Sequence, residues 1–318
     1  MWYINVNTKD LLEGSESLIN QSISMENPDV KNHDSANRND ENNQNVVNSE
    51  EKKQWTLADF CMGKKIAQGT FGIIYSAKEK HQNVVIAMKV LFKTDIKKKQ
   101  LKQQVLKEIE IHTHLKHPNI LRMYGWFQDE KRVYMVMELA VSGDLLKRLQ
   151  LEPCNRFTEP VAASYLNDLT EAVKYIHKKK IIHRDVKLQN LLLGKDDVLK
   201  LTDFGWAVHT PTCQSFGDCG ERENMAPEML LKKPYDYAVD VWGIGLVGFQ
   251  MITGVFPFTG CDAKETVKRV TRGEVVFPGG RKFSDDARDL ISKLLVVNPN
   301  ERLTLNEITS HSWISKNH

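Results

Sequence analysis

Long hydrophobic runs are missing from this sequence. Nowhere do about 18 apolar residues follow one another, so no membrane-spanning helix is expected. Cysteine is sparse. The five residues Cys61, Cys154, Cys213, Cys219 and Cys261 are odd in number and lack C-x-x-C spacing. That excludes a disulfide framework or a thiolate zinc site as an organising principle and fits a reducing intracellular compartment. An excess of one charge is also absent: 44 Lys and Arg stand against 41 Asp and Glu, a net of +3. The basic residues are spread along the chain, so no direct nucleic-acid contact is expected. The opening Met1-Trp2-Tyr3-Ile4-Asn5-Val6-Asn7 has neither a basic region nor a long apolar core, and no secretory signal is expected. Large apolar residues are scarce between Asn20 and Lys53, where Asn, Ser, Asp and Glu dominate. Such a stretch cannot bury enough surface to offset its ordering entropy. Residues 1–54 therefore read as a disordered Asn-rich tail, whose more hydrophobic start, up to Ile19, could dock on a partner.

What remains, with 41% hydrophobic residues over the whole chain, suffices for one or two domains with a full core. From Trp55 the pattern is that of strands. Phe60 to Ile66 leads into Ala67-Gln68-Gly69-Thr70-Phe71-Gly72-Ile73-Ile74-Tyr75, a pattern that taken alone reads as an ordinary β-hairpin with glycines at its turn. Val84-Val85-Ile86-Ala87-Met88-Lys89 is a β-branched strand ending on a lysine. Lys102 to Leu115 carries Val105, Leu106 and Ile109, and less regularly Ile111 and Leu115, as a packed helix would. Arg132 to Ala140 reads as a buried strand. After Ser142-Gly143-Asp144 the sequence turns helical, and Pro160 to Lys179 shows a stripe of Val161, Ala162, Tyr165, Leu166, Leu169, Val173 and Ile176.

The richest segment is His183-Arg184-Asp185-Val186-Lys187-Leu188-Gln189-Asn190, followed by the short ribbon Leu191 to Leu201 and by Asp203-Phe204-Gly205. Phosphoryl transfer needs a carboxylate to orient the attacking hydroxyl, a cation against the moving phosphate and two side chains to hold magnesium. Asp185, Lys187, Asn190 and Asp203 are of the right kinds, in the right order, for those four tasks. The run resembles the catalytic core of protein kinases, whose signature is H-R-D-L-x-x-x-N followed by D-F-G. That resemblance implies an α+β, two-lobed fold: a small, mainly β lobe with one helix over 55–140, ending in a hinge, and a larger helical lobe over 141–318. It implies ATP and Mg2+ as cofactors, Asp185 and Lys187 as catalytic residues, and Asn190 and Asp203 as metal ligands. Ala67, Gly69, Gly72 and Ile74 would form the glycine loop, with Ala67 where the family has its first Gly and Ile74 where it has Val. Ala87 and Lys89 match V-A-I-K, and Glu108 would pair with Lys89, with Glu110 the competitor. Met137, Glu138, Ala140 and Leu192 would surround adenine. Glu228 of Ala226-Pro227-Glu228 should pair with Arg302, and Asp240 should brace the catalytic loop.

The likeness narrows further. Lys89-Val90-Leu91-Phe92-Lys93, His117-Pro118-Asn119-Ile120-Leu121-Arg122-Met123-Tyr124-Gly125 and, above all, Trp206 directly after D-F-G are similar to the Aurora family of mitotic serine/threonine kinases. The likeness implies protein Ser/Thr substrates, a monomeric kinase domain, a small-lobe activator of the spindle-targeting or inner-centromere kind, and a place in nucleus and cytoplasm at spindle, centrosome or centromere. Departures cluster where the family is regulated and reads substrate. Gly217 stands at the activation-loop threonine, with Asp218 beside it, and Arg184 and Lys107 form the implied phosphate pocket. Glu221 replaces the threonine that follows Gly220, Leu188-Gln189 replaces Pro-Glu, and Glu223-Asn224 replaces Asp-Tyr. Two readings follow: an active Aurora-like kinase of the non-specific serine/threonine class, or a pseudokinase that keeps nucleotide binding or only the fold.

Overall fold

The computed structural model describes residues 55–69, 72–209, 222–280 and 282–317. The expected tail and the departures at Gly217, Asp218 and Glu221 lie outside the described residues.

The first half of the fold is one antiparallel sheet. Strands β1 (Phe60–Gly69), β2 (Gly72–Glu79) and β3 (Val85–Phe92) run consecutively, followed by helices α1 (Lys93–Lys98) and α2 (Lys102–Thr113) and strands β4 (Met123–Gln128) and β5 (Arg132–Met137). The sheet order is β1-β2-β3-β5-β4. Strand alternation explains its two faces. Ile86, Met88 and Val90 of β3 turn to one side, joining Phe60, Phe127, Tyr134 and Val136 in the small core. There Phe127 stacks between Phe60 and Tyr134, with centroids 5.5 and 4.6 Å away. Ala87, Lys89 and Leu91 turn to the other side. Strand β3 runs past the expected end at Lys89 because Val90, Leu91 and Phe92 continue the ladder against Tyr134, Val133 and Arg132. At Gly72 an added Cβ would stand 2.3 Å from the Val90 carbonyl, so the close approach of β2 to β3 demands glycine there.

The second half is mainly helical. A small ribbon, β6 (Gly143–Asp144), leads into α3 (Leu145–Leu151), whose first turn is capped by the Asp144 carboxylate accepting from Lys147 N. Then come α4 (Glu159–Lys178), β7 (Ile181–Ile182), β8 (Leu191–Leu193), β9 (Leu199–Leu201), β10 (Val208–His209), α5 (Pro227–Leu230) and α6 (Ala238–Thr253). Helices α7 (Ala263–Arg272), α8 (Asp285–Leu294), α9 (Leu305–Ser310) and α10 (Ser312–Ser315) complete it. Helix α4 buries Ala162, Tyr165, Leu166, Leu169, Val173 and Ile176 as its stripe requires. Val161, expected on that stripe, is 40% exposed, because at 100° per residue it falls on the flank of a face centred on 162, 166, 169 and 173. Helix α6 is apolar all round and almost wholly buried, the mark of a central helix.

Two polar links, the first of them buried, tie the helical lobe together. Arg302 Nη1 and Nη2 each donate to one Glu228 carboxylate oxygen at 2.7 Å, the expected pair. Arg302 also donates to the Val296, Val297 and Ala238 carbonyls. Glu159, at the start of α4, accepts from the backbone and hydroxyl of Ser284 and from Trp313 Nε1 at 2.8 Å. Among the described residues no helix is long and apolar enough to cross a membrane.

Candidate active site

The sheet register assembles one wall of the site. Ala67 lies opposite Ile74, Ile74 opposite Lys89, and Ala87 opposite Met137. Residues directly opposite in antiparallel strands project to the same face, so Ala67, Ile74, Ala87, Lys89 and Met137 share one surface. At Gly69, at the tip of β1, an added Cβ would meet no described neighbour within 4 Å. Thr70 and Phe71, between the strands, lie outside the described residues. At the far end of the wall the Glu138 backbone N–H donates to the Arg122 carbonyl at 2.8 Å, which leaves its carbonyl for an adenine edge. The Glu138 carboxylate is braced by the Arg122 amide at 3.1 Å and Lys200 Nζ at 2.9 Å. Ala140 follows in the extended segment toward β6, where its carbonyl accepts from Gly143 N. Leu192, half-buried on β8 and paired with Asp144 and Lys200, comes from the helical lobe.

Lys89 Nζ meets Glu108 Oε1 at 2.6 Å. Glu110, the competing carboxylate, is exposed on α2, so the expected choice of Glu108 agrees with the helix phase. Burial opposes the Lys89 ammonium, but the Glu108 and Asp203 carboxylates outweigh it and raise its pKa above the ordinary lysine value. Glu108 is pushed upward by burial and by Asp203, and drawn down by Lys89. We take the close contact to be an ion pair, because separating it would leave a charge buried alone.

The catalytic loop lies between β7 and β8. Asp240 in the first turn of α6 accepts from the amides of His183 and Arg184, at 2.9 and 2.8 Å, as expected. Burial raises the Asp240 pKa, yet hydrogen bonds from His177 and His183 prevail and hold it below the ordinary aspartate range. Gly243 lies one turn further on α6, where an added Cβ would come within 2.7 Å of Val186; helix and loop are that close. Asp185 is buried, and its Oδ2 receives Asn190 Nδ2 at 2.8 Å and Lys187 Nζ at 3.1 Å. A carboxylate whose Oδ2 is so engaged could still take a proton on Oδ1.

Asp203 has a left-handed backbone, φ 64°, with its Oδ1 accepting from Gly205 N. Phe204 is fully buried, with the ring of His112 4.7 Å away and that of His183 4.9 Å away. Asn190 Nδ2 is committed to Asp185, so what Asn190 and Asp203 could offer a metal is the amide oxygen of the one and the carboxylate of the other. Among the described residues no three His, Cys, Asp or Glu side chains could hold a metal alone. A two-ligand oxygen site suits Mg2+, which keeps phosphate and water in its shell.

Three groups escaped the sequence reading. His112 lies between α2 and Phe204, with Nε2 bonded to the Leu121 carbonyl at 2.6 Å and Nδ1 buried without a partner. Its place four residues after Glu108, on the same helical face, was the available clue. Tyr235 and the Trp206 carbonyl both receive the Arg184 side chain, at 2.9 and 2.7 Å. No local pattern signals either contact. Lys107, the other residue of the implied phosphate pocket, is exposed on α2.

Comparison with known proteins gives the family. The protein kinase domain model matches residues 60–314. The chain is 43% identical to Aurora kinase A-A of Xenopus laevis over 266 residues, covering 84% of this chain and 64% of that one. It is 42% identical to serine/threonine-protein kinase Aurora-2 of Arabidopsis thaliana, covering 84% of this chain and 93% of that one. With Aurora kinase B of Xenopus tropicalis it shares 40% identity, covering 87% and 76%. The chain thus spans just under two thirds of the length of the Xenopus laevis relative.

Proposed function

The chain belongs to the protein kinase family and, within it, to the Aurora kinases, and from that premise we propose that it is a serine/threonine protein kinase using ATP and Mg2+. The observation that carries this reading is the joint presence of the Lys89–Glu108 ion pair and an Asp185 braced by Lys187 and Asn190. A scaffold without transfer activity has no use for the second arrangement.

In the proposed reaction a substrate Ser or Thr hydroxyl meets Asp185 Oδ1 and gives up its proton there. The hydroxyl oxygen forms a bond to the γ-phosphorus while the β–γ bridging bond breaks, and ADP leaves with the electron pair. Lys187 stands beside Asp185 as the cation facing the moving phosphoryl group, and Lys89, fixed by Glu108, holds the α and β phosphates. The face formed by Ala67, Ile74, Ala87 and Met137, with Leu192 opposite, encloses adenine, whose edge meets the Glu138 and Ala140 backbone. Gly69 and Gly72 let the hairpin cover the phosphates. Mg2+, held by Asp203 and the Asn190 amide oxygen, would supply charge neutralisation to the triphosphate.

In this reading residues 55–140 form the small lobe with its hinge and residues 141–318 the large lobe. We assign the protein to mitotic structures, spindle, centrosome or centromere, with a small-lobe activator. The test is transfer of radiolabel from ATP to myelin basic protein or a histone H3 tail. Lys89→Arg should keep the fold and lose most turnover, because a guanidinium cannot reproduce the ammonium's point contact. Asp203→Asn should do the same. Wild-type turnover in either variant, or none in the wild-type protein, overturns the assignment.

A further inference from the structure

Arg184 is the least relaxed residue of the catalytic loop. Its φ of 69° puts an arginine in the left-handed region, immediately before Asp185. Such a conformation persists only where the surroundings over-determine it. Here they do so on two sides. The amide is held by Asp240 Oδ1, and the guanidinium donates through Nε to the Trp206 carbonyl and through Nη1 to the Tyr235 hydroxyl. These partners sit on three segments: helix α6, the turn that follows Asp203, and the chain five residues before Asp240. Tyr235 is itself buried, part of the large-lobe core, so its hydroxyl is a fixed acceptor rather than a solvated one. A planar guanidinium with fixed donor directions reads such a fixed acceptor well.

We infer that Tyr235 is a positioning residue for the transfer reaction: its hydroxyl fixes Arg184, and through Arg184 the backbone that presents Asp185. The anchor is neutral and internal to the fold. It acts without Tyr235 touching nucleotide or substrate. This inference rests on the kinase reading above, and its test separates the two.

Wild-type protein and Tyr235→Phe are both treated with a broad phosphatase, so no phosphate contributes. Removing one hydrogen bond to a charged group should lower kcat by about tenfold while KM for ATP stays within about twofold. The phenyl ring keeps the packing, and hydrogen–deuterium exchange gives a second readout independent of transfer. Amides of residues 181–190 should exchange faster in the variant, while those of α6 stay unchanged. Equal kcat and equal loop exchange in the two proteins overturn the proposal. If neither protein transfers phosphate, the kinase reading falls and exchange alone decides: faster loop exchange in the variant supports the anchor, equal exchange removes it.

Discussion

One part of the acid destabilisation of this protein, the part due to His112, can be worked out. The ring is fully buried, and desolvation by that burial lowers its pKa from 6.5 to about 4. The groups around it pull both ways: the Leu121 carbonyl and Asp203 favour the proton, Lys89 and His183 oppose it, and Phe204 offers only a ring face. In the fold the imidazole is neutral, with Nε2 donating to Leu121 and Nδ1 unpaired. The unfolded chain takes up a proton near the ordinary value, so the unfolded state binds more protons throughout the interval between. Stability is therefore full above about pH 6.5 and falls as pH drops toward about 4. At 1.36 kcal/mol per unit, the loss is about 2 kcal/mol at pH 5 and about 3 kcal/mol below pH 4. His112→Gln keeps a donor for Leu121 and does not titrate. Urea unfolding of both proteins at pH 7.5 and pH 5.0 isolates the effect, since every other group cancels in the difference. The wild type should lose about 2 kcal/mol more than the variant between the two conditions. Equal losses would refute the reasoning.

Glu228→Ala leaves Arg302 charged and buried, which should cost about 3–5 kcal/mol. Thermal unfolding should then shift down by about 10 °C, and a shift under about 2 °C would show that the Val296, Val297 and Ala238 carbonyls hold the guanidinium unaided. Gln189 is exposed at the catalytic loop. Gln189→Glu should raise kcat/KM by about tenfold or more for peptides with Arg two positions before the phosphoacceptor; no gain in a positional library would mean that other carboxylates read that position.

The fold and the placing of the candidate site residues were legible because both are written in local code. A hydrophobic stripe fixes the phase of α2, and with it the choice of Glu108 over Glu110; the short spacing from Asp185 to Asn190 and the turn chemistry around Asp203 are likewise local. Alternation in β3 gave Lys89 its face. What local code could not supply was the far side of each contact. Arg184 finds Tyr235 51 residues away, and Asp240 reaches the loop from 57 and 56 residues away. His112 looks like an ordinary helix-end histidine until the Phe204 ring is brought against it. Val161 shows the opposite failure, an apolar residue at nearly the right phase that its helix leaves in water. The ends of strands and helices moved by a few residues because pairing partners, not propensity, decide where a ladder stops.

The link from Glu159 to Trp313 also dictates when this protein can finish folding. The partners are 154 residues apart, and Trp313 is almost wholly buried once docked. Chains emerge from the ribosome at about 5–20 residues per second, so helix α4 exists for many seconds before its capping indole has been made. During that time the small sheet, whose strands are close in sequence, can already be complete. The helical lobe, by contrast, waits with that carboxylate short of its indole donor and an apolar face still open, and it is in this interval that a chaperone would find the most to bind.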